Sequence, residues 1–330
     1  MGYLWMPLPA AFLSLVLLLP SSAAPSAVAQ EAPAYLALGD SLAFGVGASD
    51  PSTTGYVGRA YEALLTSERY RDGGLDSVNL SVPGATSSDL LVPGGQLDMA
   101  LAEITGRQQD ASPASNDVEI VSVDIGGNDL LTLVAPDSPC LESSSVEPCR
   151  SAFGEVLSAI QTNLTQALRR LRQAAPEAVI VVVDLYNPYS GTGDLREPIA
   201  EIGVGQANGV IGAVTADPEL RVKAASIFQL FSGRGGQWIA PDGIHPNDDG
   251  HAVIAEVLLA TIADREPAIP DELLSVSPGA TALPVDGTSD ASSGEDSDGV
   301  SPFLLIAGIS VAFGAGIVVS GAYFIARGRA

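Results

Sequence analysis

Lysine is almost missing from this sequence. Lys223 is the one lysine among 330 residues, and arginines supply the rest of the 15 basic side chains. Against them stand 39 acidic residues, for a formal net charge of −24. So large an acidic excess repels phosphate backbones and excludes nucleic acid as a partner. It also disfavours docking on anionic lipid headgroups. Histidine is scarce as well, limited to His245 and His251. Cysteine is limited to Cys140 and Cys149, which bracket the acidic, serine-rich loop "CLESSSVEPC". Two cysteines without suitably spaced histidines make a poor zinc site, so no metal and no cofactor is expected. Their spacing permits a small disulfide-closed loop, worth roughly 2–3 kcal/mol on a chain-entropy account, with two free thiols as the alternative.

Basic residues are absent from the first thirty positions, where Leu8 to Leu19 forms an apolar run that ends on Pro20. Ala27-Val28-Ala29 then gives a small-residue cleavage pattern. The expectation is a secretory leader over 1–29, with an uncleaved anchor as the alternative. At the other end, 303–326 carries no charge over 24 residues and is followed by Arg327 and Arg329. That length suits a transmembrane helix, and the arginines suit a cytoplasmic tail at 327–330. The body is then extracytoplasmic, held to the cell membrane by a single C-terminal span. A lipid-anchor signal is the competing reading of the same tail. Gly308, Ala312, Gly316 and Ser320 repeat at four-residue spacing, which suggests weak self-association of the span. Between body and span, 267–302 has seven acidic and no basic residues, with abundant Pro, Ser and Gly. That composition predicts a disordered linker.

The body, 31–266, alternates apolar β-branched runs with helical patterns. Strands are expected at Tyr35–Leu38, Ser77–Val82, Asp117–Gly126, Ala178–Tyr186 and Arg221–Phe228. Helices are expected at Tyr56–Tyr70, Gln96–Ile104, Phe153–Ala175, within Arg196–Thr215, and at Asp248–Arg265. The pattern predicts an α/β fold with a central parallel sheet of about five strands covered on both faces. In such sheets, sites lie beyond the carboxyl ends of the strands.

Four segments fall there. "ALGDSLAFG" ends the first strand on Gly39-Asp40-Ser41. "PDGIH" carries Asp242 three residues before His245. That spacing can bring a carboxylate onto the imidazole Nδ1, leaving Nε2 to accept the proton of Ser41. His251 falls inside the closing helix and reads as a packing or surface residue. "VPGAT" offers the Gly84 backbone N–H, and "GGND" offers the Asn128 amide, as donors to a tetrahedral oxygen. Asp40 and Asp129 read as loop-holding or helix-capping groups.

Together, Gly39-Asp40-Ser41, Gly84, Gly126-Gly127-Asn128-Asp129 and Asp242-Gly243-Ile244-His245 resemble the four blocks of the SGNH/GDSL hydrolase family, in order. The resemblance covers essentially the whole body. It implies a flavodoxin-like three-layer α/β/α sandwich and metal-independent ester hydrolysis. It further implies Ser41 as nucleophile, His245 as base, Asp242 as third member, and Ser41 N–H, Gly84 and Asn128 as the oxyanion hole. The implied activity is a serine esterase or lipase acting on a small-molecule, lipid or acylated-glycan ester. A carbohydrate O-acetylesterase or a thioesterase of the same fold is an alternative, and a non-catalytic surface binding domain is the alternative of another class. The cysteine-bearing insert departs from the family pattern and is positioned to shape or cover the acyl pocket.

Overall fold

The computed structural model describes residues 1–2, 32–109, 117–134, 137–142 and 146–275. It divides into two units, 1–30 and 31–330. The expected leader, span and cytoplasmic tail, and the linker beyond residue 275, lie outside the described residues. Among the described residues, no helix is long and apolar enough to cross a membrane.

Five strands form one sheet: β1 (Ala34–Gly39), β2 (Asp76–Asn79), β3 (Val118–Asp124), β4 (Val179–Val183) and β5 (Val222–Ala225). Their order is β2-β1-β3-β4-β5, and every pairing is parallel. After β2 the chain crosses β1 to reach β3, so the strand order switches direction between β1 and β3. Doubly wound sheets open a crevice at such a point. The expected three-layer architecture is therefore present.

Strand alternation builds two cores. Leu36, Leu38, Val121, Val123, Ile180 and Val182 face one side. There they meet α3 (Gln96–Gln109), α6 (Val146–Ala174) and α7 (Glu197–Thr215). Tyr35, Ala37, Ile120, Val181 and Val183 face the other side. They are covered by α2 (Tyr56–Thr66) and α10 (Asp248–Ile262). Burial of these aliphatic side chains is the main drive for assembly, at roughly 1.5–3 kcal/mol for each one fully buried.

Several element ends shift by a few residues from expectation, and two shifts are larger. Helix α6 begins at Val146, not Phe153, so Cys149 is helical. The order of the body also runs past residue 266. Ile269 and Leu273 pack on the second core, and the Gln237 amide donates to the carbonyls of Leu273 and Ser275. The short helix α11 (Asp271–Leu274) lies in this stretch, inside the expected disordered linker. Two aliphatic side chains find an apolar surface here, which a count of prolines and acids does not register.

Candidate active site

Ser41 stands immediately beyond β1, as the first residue of the short helix α1 (Ser41–Phe44). Asp40 caps that helix, its carboxylate accepting the Leu42 N–H at 2.9 Å. Gly39 permits the turn because a Cβ there would collide with the Asp124 carboxylate at the end of β3. The ends of the two central strands thus approach more closely than any side chain allows.

His245 arrives from far along the chain on a tight loop before α10. Asp242 shapes that loop by accepting the N–H groups of Ile244 and His245, each at 3.0 Å, through Oδ1. Its other oxygen, Oδ2, lies 2.6 Å from His245 Nδ1. Burial alone would raise the Asp242 carboxyl. The hydrogen bonds from Ile244 and His245 outweigh it and hold the group below the ordinary range. His245 Nε2 lies 2.8 Å from Ser41 Oγ. Three residues separated by some two hundred positions therefore form one hydrogen-bonded chain. Gly47 (φ +91°) makes room for it, since a Cβ there would strike the Pro246 carbonyl and the His245 side chain.

The His245 loop is held on three sides. The Tyr186 hydroxyl donates to the Ile244 carbonyl at 2.8 Å. Ile239 bridges Pro246. Asn247 caps α10 by accepting from the N–H groups of Asp249 and Gly250. A helix N-terminus fixed by its own cap places the preceding histidine with little freedom.

Gly84 and Asn128 line the same cavity as Ser41 and His245. Gly84 has φ +83°, a conformation that glycine adopts without strain. Asn128 lies in α4 (Gly127–Leu131) and differs from a freely presented amide. Its Nδ2 donates to Asp40 Oδ2 at 3.2 Å and to the Ala85 carbonyl at 3.0 Å. The amide group is thus engaged by the buried carboxylate next to the serine and by a backbone carbonyl. Asp129 braces the neighbouring loop, accepting from the N–H and hydroxyl of Ser87.

His251 takes no part in the chain. It is buried against Tyr56, accepting the Tyr56 N–H at Nδ1 and donating from Nε2 to the Val46 carbonyl. Both contacts suit the neutral ring, and burial pushes its pKa down to about 4. The ring thus joins α10 to the loop that follows α1.

Two buried carboxylates sit beneath Ser41. Burial pushes Asp40 up to about 6, against the Leu42 hydrogen bond and the attraction of His245. Burial pushes Asp124 well above the carboxylate range, and Asp40 adds to the effect. The Asp124 carboxyl accepts the Ala43 N–H at 3.0 Å and so grips α1 from below. Asp124 went unremarked in the sequence reading. The signal was a carboxylate closing the apolar stretch Ile120–Val123 of "VEIVSVDIG".

The cavity beside the serine is about 680 Å³. Much of its wall is aliphatic or aromatic, drawn from the segment after β3, from α6 and from α7. Cys140 and Cys149 are joined in a disulfide and both line it. The bridge ties α5 (Pro139–Glu142) to the first turn of α6. The cysteine-bearing insert therefore does shape the pocket. Among the described residues, no group of His, Cys, Asp and Glu side chains is arranged to hold a metal ion.

Comparison with known proteins bears on the family and the fold. The model of the GDSL-like lipase/acylhydrolase family matches residues 37–253. The spore germination lipase LipC of Bacillus licheniformis is 24% identical over 232 residues, covering 68% of this chain and 94% of LipC. A lipase from a goat rumen metagenome has a similar fold, with a TM-score of 0.52 at 21% identity over 69% of this chain and 97% of that one. A variant of an acetyl-xylooligosaccharide esterase from Geobacillus stearothermophilus gives a TM-score of 0.50 at 18% identity, over 71% of this chain and 96% of that one.

Proposed function

The chain belongs to the GDSL-like lipase/acylhydrolase family, and from that premise we propose that it hydrolyses carboxylic esters through Ser41, His245 and Asp242. The observation that carries the reading is the relay itself. Ser41 Oγ, His245 Nε2, His245 Nδ1 and Asp242 Oδ2 follow one another at 2.8 and 2.6 Å across a covalently fixed ring.

The chemistry follows from that order. His245 Nε2 takes the hydroxyl proton as Ser41 Oγ bonds to the ester carbonyl carbon. The imidazolium that forms is stabilised by Asp242, which stays ionised. The carbonyl oxygen becomes an oxyanion held by the backbone N–H groups of Ser41 and Gly84. Asn128 joins them by exchanging its Asp40 contact for the new negative oxygen. As the intermediate collapses, the bond to the alcohol oxygen breaks and His245 returns its proton to that oxygen. Water then attacks the acyl-serine by the same route, releasing the acid and restoring the hydroxyl.

The proposal extends to location: an extracytoplasmic body with a leader at 1–29 and a C-terminal anchor at 303–326. The uncharged run followed by Arg327 and Arg329 supports it, as does the disulfide.

A fluorophosphonate probe tests the catalytic reading. The folded protein is expected to be labelled at Ser41, with mass spectrometry locating the adduct. Absence of label, or equal labelling of Ser41→Ala, would overturn it.

A further inference from the structure

We infer that the acyl group of the substrate is an aliphatic chain of octanoyl length or longer, and that the disulfide-stapled wall of the cavity sets that length. The inference rests on the esterase reading above and adds the substrate class.

An acetyl group needs little room beyond the carbonyl. The cavity at Ser41 encloses about 680 Å³, well inside the range of pockets that engulf a whole small molecule. Away from the relay its wall is largely apolar, with Leu133, Phe153, Leu185, Ile199 and Val204 among its side chains. Such a surface offers a substrate apolar burial and almost no hydrogen bonds, which suits methylene groups and not a sugar ring. Arg196, the one guanidinium among the described residues of the wall, does not ask for an anion. Arg196 already donates to both Asp194 oxygens, at 2.9 and 2.7 Å, and lies 4.2 Å above the Tyr189 ring.

The disulfide gives this wall a fixed position. Cys140 and Cys149 are buried and face the cavity. The bridge clamps α5 onto the start of α6, and α6 also carries Phe153. Across the cavity, α7 presents Gly203, where a Cβ would stand 3.9 Å from Phe153 Cε2. A glycine at this point keeps open space that any larger residue would fill.

The test is a series of nitrophenyl esters from acetate to dodecanoate, presented to the purified full chain below their aggregation concentrations. Each methylene that enters the wall should raise kcat/KM by about fourfold. From acetate to octanoate, with six added methylenes, the rise should be on the order of a thousandfold. Gly203→Leu should lower the octanoate-to-acetate ratio of kcat/KM by about tenfold or more, since its side chain occupies about as much as several methylenes. Ala200→Leu, on the same helix and also facing the cavity, serves if Gly203→Leu does not fold. The double variant Cys140→Ser with Cys149→Ser should flatten the length profile. A flat or acetate-favouring profile in protein that still labels at Ser41 overturns the long-chain inference and leaves the esterase reading standing. No hydrolysis and no labelling overturns both. A length profile unchanged in the double variant removes the disulfide from the account.

Discussion

His245 and His251 are six residues apart, yet they stand in opposite environments, one partly exposed and one buried. His245 keeps a partly exposed ring between Ser41 and Asp242. His251 is sealed between α10 and the loop after α1. Ser41→Ala should lower kcat/KM by about a millionfold, and His245→Gln should cost a similar factor. His251→Gln should leave kcat/KM of the folded protein within a few-fold, and steady-state kinetics on one soluble ester checks all three. Stability should separate the histidines in the other direction. The folded His251 titrates near 4, below an unfolded value of about 6.5. The unfolded chain therefore binds the proton first as pH falls. The stability this neutral ring contributes is complete above about pH 6.5 and is lost progressively toward pH 4, by about 3 kcal/mol. Asp40 and Asp184, both pushed up to about 6 by burial, act with opposite sign over an overlapping range. The informative quantity is thus the difference between parent and His251→Gln at each pH. Urea midpoints should show that difference shrinking from pH 7 to pH 4. A constant difference would count against the buried neutral ring.

At the scale of elements, one arginine joins three of them. Arg172, in the last turn of α6, is buried and donates to the carbonyls of Leu220, Ala175, Pro176, Ala178 and Arg221. It satisfies the helix C-terminus and the entries to β4 and β5 together. Arg172→Met strands several buried carbonyls and should cost about 3 kcal/mol, lowering Tm by roughly 6–12 °C. Calorimetry reads the loss, and activity at 25 °C should stay near the parent's. The elements themselves were largely legible. Strands with near-continuous Val, Ile and Leu and helices with a clear apolar stripe announced themselves, and α10 begins at Asp248 as expected. The short helices α1, α4, α8 (Phe228–Phe231) and α9 (Gly235–Trp238) were not anticipated. Four or five residues are too few to show a period. The early start of α6 was hidden because Val146 to Arg150 reads as part of a polar loop. In the structure the helix start is tied down there by the Cys140–Cys149 bridge.

For the whole molecule, the net charge of −24 disfavours nucleic acid and anionic headgroups as partners, and the proposed location gives any hold on a membrane to the uncharged run at 303–326. Two truncations separate folding from location. A chain ending at Ser275 should match the full chain in Tm and in kcat/KM on soluble esters, while leaving the membrane fraction for the supernatant. A chain ending at Glu266 should lose about 2 kcal/mol, because Ile269 and Leu273 no longer cover the second core. Equal sedimentation of the full chain and the Ser275 truncation would refute the anchor.

Sequence alone was enough for the fold class and for the candidates Ser41, Asp242, His245, Gly84 and Asn128. Local chemistry explains why: strand and helix periods are short-range signals, and Gly-Asp-Ser and Asp-x-x-His are local arrangements of turn and side chain. What depended on the third dimension was distance between remote parts. Parallel pairing of β1 with β3 brought Asp124 under Ser41 and forced Gly39 against it. The same approach turned the Asn128 amide onto Asp40. Packing of α6 against α7 enclosed the cavity, and no single segment carries a trace of its volume. Burial, which belongs to the folded chain and not to any residue, made His251 a neutral strut and left the His245 ring partly exposed between Ser41 and Asp242.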